Sequence, residues 1–166
     1  GLGDVYKRQP QGGRVLATVG NRKFDGHRKR LSGFLDRLEE LGFRREEVLV
    51  RETFNDYQTT VQVVSEVLGA YPDLSGIYMA NLNVSGCAEA VRAAGKTGQI
   101  RVICHDINEG IRQLLCSGSV DYTIPQDFEQ QGYGPIMLLR DLLRKGKTAD
   151  AARFTGRIGI LCRENL

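Results

Sequence analysis

The sequence predicts a doubly wound α/β fold, a parallel sheet with helices on both faces in three layers. Three observations carry that prediction. Short apolar runs alternate with longer segments of helical period from Arg14 almost to the end. Glycines stand where the helical segments should stop, and hydrogen-bonding residues gather just after most of the apolar runs. Such alternation builds βαβ units, because parallel strands need a long crossover and a helix both supplies it and covers the sheet.

The first run, Arg14 to Val19, reads as a strand. After it Leu31, Phe34, Leu35, Leu38 and Leu41 recur at three- and four-residue spacing, an amphipathic helix ended by Gly42. Glu47 to Arg51 is the second strand, and Val61, Val64, Val67 and Leu68 mark a second helix with Asp56 placed as its cap and Pro72 beyond its end. Gly76 to Ala80 is followed by a helix from about Val84 to Ala94, closed by Gly95. Ile100 to Cys104 leads to a short helix, Glu109 to Cys116, closed by Gly118. Val120 to Ile124 leads to the longest helix, Glu129 to Arg144, followed by Gly146. Lys145 to Ala152 is linker-like, and Arg157 to Cys162 reads as a closing strand. Residues 1–9 have neither a starting Met nor a periodic pattern, so they read as a fragment edge or non-native stretch outside the fold.

Composition bounds the function. The 166 residues are 41% hydrophobic and 26% charged, ordinary for a globular domain. A net charge of +3, from 23 basic and 20 acidic residues, gives no nucleic-acid footprint. The cluster Arg22, Lys23, Arg28, Lys29 and Arg30 reads as a solvated helix start before it reads as a phosphate patch. Cys87, Cys104, Cys116 and Cys162 form no CxxC pair and neither histidine stands at metal-ligand spacing, so no metal site, cofactor or disulfide framework is expected. Free thiols in apolar runs point weakly to a reducing, cytoplasmic setting. No apolar run approaches the ~18 residues that span a bilayer, and no membrane role is expected.

In open parallel sheets ligands collect at the carboxyl ends of the strands. There the sequence places Asn21 and the polar stretch to Arg30, then Asn81 and Asn83, His105 and Asp106, and Gln126 and Asp127; only the second strand contributes nothing to this inventory. Arginine supplies a fork of donors, aspartate accepts from two hydroxyls, and amides do both, which suits a sugar or cyclitol better than a phosphate. For Asn83, Asn108 and Asp127 taken singly, turns and helix caps are the better explanation. Asp106 directly follows Val102-Ile103-Cys104, where a lone carboxylate facing a cleft needs a partner.

Arg30-Leu31-Ser32-Gly33-Phe34 resembles the R-x-x-G-[FW] motif of the lactose-repressor family and the type I periplasmic sugar-binding superfamily. Val102 to Asp106 resembles its V-[IV]-x-x-D strand, Thr123 to Asp127 its T-I-x-Q-[DN] crossover, and Arg163 to Leu166 the ending of many sugar-type members. The resemblance spans Gly13 to Leu166, about half of a member's ligand-binding region. It implies that residues 13–127 form the carboxy-terminal lobe, and that residues 128–166 are a crossover helix and terminal strand belonging to a missing amino-terminal lobe. It also implies ligand-binding roles for Arg30, Asp106 and Gln126, with Asn81, Asn83 and His105 beside them. The sequence departs from the family's Asn-Asp after the third strand, reading Asn81-Leu82-Asn83, so either asparagine is a candidate ligand contact.

No nucleophile elbow, zinc-protease, phosphate-loop or dinucleotide motif follows a strand, and His105 and Asp106, adjacent on an extended strand, point to opposite faces. No catalytic residue is expected. The expected function is sensing of a small-molecule effector, a sugar or cyclitol, in a transcriptional regulator that is expected to be a homodimer when full length and to reach operator DNA only through a headpiece absent here. The alternative is an extracytoplasmic sugar-binding protein of an ABC transporter, which would use the same cleft.

Overall fold

Five strands lie parallel in one sheet, in the spatial order β2-β1-β3-β4-β5. The structure, a computed structural model, describes residues 13–145 and 158–166. The strands are β1 (Arg14–Val19), β2 (Val48–Glu52), β3 (Leu74–Met79), β4 (Arg101–His105) and β5 (Tyr122–Ile124). Between them run α1 (Asp25–Glu40), a single 3₁₀ turn (Arg45–Glu47), α2 (Tyr57–Ala70), α3 (Val84–Ala93) and α4 (Glu109–Cys116), and α5 (Phe128–Lys145) follows β5. The predicted fold class is therefore the observed one.

Side-chain alternation along the strands divides the core. Leu16, Ile77, Met79, Val102 and Cys104 point to the face covered by α2, α3 and α4, where they pack with Val64, Val67, Cys87, Val91, Ile111 and Leu115. Ala17, Val19, Tyr78 and Ala80 point to the other face, against Leu31 and Phe34 of α1. The first face is a sealed core. The second is thinner, since no residue of α1 is fully buried.

Local chemistry sets the helix ends. The Asp56 carboxylate accepts from the Thr59 amide at 2.8 Å, and Asn108 Oδ1 accepts from the Ile111 amide at 2.9 Å, each satisfying an orphan donor of a first turn. Asp127 does the same for Gln130 at the start of α5, at 2.9 Å. Asn108 and Asp127 are thus caps, as turn chemistry alone predicts.

Two differences from the sequence reading stand out. The closing strand is reduced to an antiparallel bridge, Thr123 with Leu161, made by two backbone hydrogen bonds of 2.9 Å. Residues 158–160 on its amino-terminal side stay outside any ladder and exposed, because β5 offers only three residues. The helix α1 also starts earlier than its apolar stripe, at Asp25, whose carboxylate pairs with Arg28 and with Lys29 at 2.9 Å. That pairing makes the basic cluster a solvated helix start. Residues 1–9, Gly146 and most of the linker-like stretch lie outside the described residues.

Candidate functional site

The strand order reverses between β1 and β3, and the loops that leave those two strands diverge to opposite faces, which opens a crevice at their carboxyl ends. A cleft of about 400 Å³ lies at this edge, lined by Phe24, His27 and Arg30 of the α1 region, Asn55 after β2, Leu82 after β3, Asp106 after β4 and Gln126 after β5. That volume suits a single sugar ring.

Arg30 is brought in by the amphipathic pitch of α1: Leu31 and Phe34 face the sheet, and the guanidinium, on the adjoining side, donates from Nη1 to the Ala80 carbonyl at 3.1 Å. Its Nη2 stands 3.9 Å from Asp106 Oδ1. Asp106 follows β4 in a left-handed conformation, φ 69°, which turns its side chain out of the sheet. Its backbone is clamped to β5, the amide donating to the Ile124 carbonyl at 2.9 Å and the carbonyl accepting from Thr123 Oγ1. Gln126 Nε2 donates to Asp106 Oδ1. Arg30, Asp106 and Gln126 thus form one connected floor. A hydroxyl there can accept from the guanidinium and donate to the carboxylate, the arrangement a polyol requires.

The other three sequence candidates lie elsewhere. His105 is buried behind the floor, its Nε2 sharing a 2.7 Å hydrogen bond with the Tyr78 hydroxyl, while Tyr78 in turn stacks on Phe34 at 4.2 Å. His105 is the last residue of β4, and Asp106 stands beyond the strand in the left-handed conformation rather than on an extended continuation of it, so that turn, not strand alternation, sends the two side chains apart and His105 supports the site from the sheet. Burial, reinforced by the Arg30 charge, pushes the His105 pKa down to about 4, and burial raises the Tyr78 hydroxyl to about 12. Asn81 is 2% exposed, and its amide is spent on the protein. It accepts from Thr18 Oγ1 at 2.9 Å and donates to Thr53 Oγ1 at 2.8 Å and to Asn55 Oδ1 at 3.2 Å. Asn83 takes the left-handed position before α3, φ 67°, and donates its side-chain amide to the Asn55 carbonyl. Neither asparagine lines the cleft.

Asn55, His27, Phe24 and Leu82 are liners that the sequence reading passed over. His27 Nδ1 is a buried nitrogen with no hydrogen-bond partner among the described residues, and desolvation, followed by the Arg30 charge, lowers the His27 pKa. A charged or polar atom so placed is costly unless something meets it. The available signal for Asn55 was residue type: asparagine is enriched in the left-handed region, and both Phe54 and Asn55 adopt it, with φ 52° and 55°.

The family profile described as "Periplasmic binding protein domain" matches residues 3–148. The D-ribose/D-allose-binding protein of Pseudomonas aeruginosa is 28% identical over 141 residues, 84% of this chain and 43% of that protein. The D-allose-binding periplasmic protein of Escherichia coli is 32% identical over 88 residues, 52% of this chain and 28% of that protein. Among solved structures, a periplasmic ribose ABC transporter protein from Conexibacter woesei superposes with a TM-score of 0.81 at 23% identity, over 98% of this chain and 55% of that one. An ABC transporter solute-binding protein from Agrobacterium vitis, bound with α-D-tagatopyranose, gives 0.76 at 23% identity, over 92% and 51%. The chain spans less than half the length of these curated relatives, and the structural likeness establishes the fold of one lobe. The relatives are sugar-binding proteins rather than DNA-binding regulators, so they extend the resemblance to the periplasmic side of the superfamily and not to its lactose-repressor branch. With a family match over most of its length and a fold to go with it, this chain belongs to the periplasmic binding protein domain family.

Proposed function

We propose that this chain is one lobe of an extracytoplasmic sugar-binding protein that presents its ligand to an ABC transporter, and that Arg30, Asp106 and Gln126 hold ligand hydroxyls. The carrying observation is the connected polar floor: Arg30 Nη2 and Asp106 Oδ1 are 3.9 Å apart at the carboxyl edge of the sheet, and Gln126 donates to the same carboxylate. The names of the curated relatives support the transport reading over the regulator reading. The free cysteines, which point weakly to a reducing, cytoplasmic setting, are weaker grounds than similarity over the whole segment. On this reading the ligand is a monosaccharide, operator DNA has no part, and a homodimer is not required.

Residues 13–127 would then be the lobe that carries the described half of the cleft, and residues 128–166 the segment that crosses to the other lobe. Ligand trapped between two lobes favours the closed arrangement by its higher affinity for it, and closure is what a transporter reads. The test is isothermal titration of the full-length protein with D-ribose, D-allose, D-tagatose and D-fucose. At least one should bind at micromolar strength or better, and Asp106→Ala should weaken it by roughly tenfold to a hundredfold, the usual cost of losing a hydrogen bond to a charged group. Unchanged affinity in Asp106→Ala would remove that residue from the site.

A further inference from the structure

Resting on the sugar-site reading, we infer that the ligand is a 6-deoxyhexose, a sugar whose C6 is a methyl group, and that Leu82 with Phe24 forms the apolar wall that selects it. The ligand is thereby narrowed from any monosaccharide to one with a hydrocarbon edge.

The cleft has two unlike sides. Its floor is the connected polar set of Arg30, Asp106 and Gln126. The rest of its lining includes two large hydrocarbon side chains, Phe24 from the loop after β1 and Leu82 from the loop after β3, which are 57% and 54% exposed. Apolar surface left open inside a binding cleft calls for an apolar partner. Leu82 is also where the sequence departs from the Asn-Asp of the family it resembles, exchanging a charge for hydrocarbon.

Among the described residues, the backbone of this wall is already engaged. The Leu82 carbonyl accepts from the Asn81 side-chain amide at 3.2 Å, and its N–H donates to Asn55 Oδ1 at 3.4 Å. Asn81 and Asn83, on either side of Leu82, are spent on Thr18, Thr53 and the Asn55 backbone. In the other loop the Phe24 N–H donates to the Asn21 carbonyl at 3.1 Å, and the Phe24 carbonyl accepts from the Arg28 amide at 3.0 Å. These bonds anchor both loops, so the wall is in place before a ligand arrives, and a hydroxyl pressed against it meets side-chain hydrocarbon.

A pyranose held by ring hydroxyls along one edge turns its opposite edge, with the substituent on C5, away from the floor and against the wall. A hydroxymethyl group there would lose water from its hydroxyl without gaining a partner, whereas a methyl group makes ordinary apolar contact and covers the open surface of Leu82 and Phe24. A hydrophobic wall rejects one added hydroxyl by up to roughly a hundredfold. That bound sets the size of the preference to be measured.

The experiment titrates the full-length protein with matched pairs that differ only at C6: D-fucose and D-galactose, L-rhamnose and L-mannose, 6-deoxy-D-allose and D-allose. In the pair that binds most tightly, the 6-deoxy member should be favoured by roughly tenfold to a hundredfold. Leu82→Asn, similar in size but able to donate and accept, should bring that ratio to within about threefold, and the conservative Leu82→Met should return it towards wild type. Melting without ligand reports whether each variant is folded. Both members weakened alike in Leu82→Asn, with their ratio kept, is the mark of a merely structural residue and overturns the selecting role of Leu82. Equal affinity within the pair means that the wall meets the other lobe and not the ligand; that result, or tighter binding of the hydroxymethyl sugar, overturns the 6-deoxy class and leaves the sugar site standing. Binding of D-ribose or D-tagatose with no member of the pairs bound does the same. Failure of every one of these sugars overturns both.

Discussion

The peptide that joins His105 to Asp106 separates two environments, a dry pocket inside the sheet and an open cleft at its edge. His105 prefers to be neutral in the folded protein, with a pKa near 4 against an ordinary 6.5. Between those values the unfolded chain binds a proton that the folded one refuses. The His105 contribution to stability is therefore full above about pH 6.5, declines as pH falls, and is exhausted near 4, a loss on the order of 3 kcal/mol. Urea melts at a series of pH values should show this slope, and His105→Gln, which still offers an acceptor to the Tyr78 hydroxyl but does not titrate, should flatten most of it. A smaller slope of the same sign remains from His27, whose pKa is also lowered by burial. At the edge itself, Gly20→Ala is expected to lower stability by pushing Asn55 aside, with little further effect in an Asn55→Ala background, as denaturation of the two single variants and the double variant would show.

The elements were legible because each carries its own signal. The stripe from Leu31 to Leu41, the cap at Asp56 and the left-handed glycines Gly42, Gly95 and Gly118 all fall where strand–helix units need them. Asp56→Ala should lower the denaturation midpoint, since it leaves the Thr59 amide without its cap. The site was legible only in part. Arg30, Asp106 and Gln126 meet because a residue following a strand is carried to one edge by the topology, and motif spacing reports that. Where each side chain turns depends on contacts from other strands: Asn81 is drawn inward by Thr18 and Thr53, and His105 by Tyr78. Asn55 was missed for the same reason. Its placement depends on the bare backbone of Gly20, 35 positions earlier, and no local pattern records that approach.

At the scale of the molecule, one sheet face is sealed and α5 is not. Ile136, Leu139 and Leu143 are 69%, 56% and 76% exposed on a helix that also contains Pro135. Apolar surface of that kind is normally covered. The proposal that residues 128–166 belong to a second lobe makes a two-sided prediction for Leu143→Glu. Sedimentation should show less self-association of the isolated chain, while the same change in the full-length protein should lower its melting temperature.

The most direct test of the central claim is a crystal structure of the full-length protein with its sugar bound. The account predicts one ring at the carboxyl edge of the sheet, with hydroxyl oxygens about 3 Å from the Arg30 guanidinium and the Asp106 carboxylate together. A sugar seated elsewhere, or one that leaves both of those groups to solvent, would contradict it.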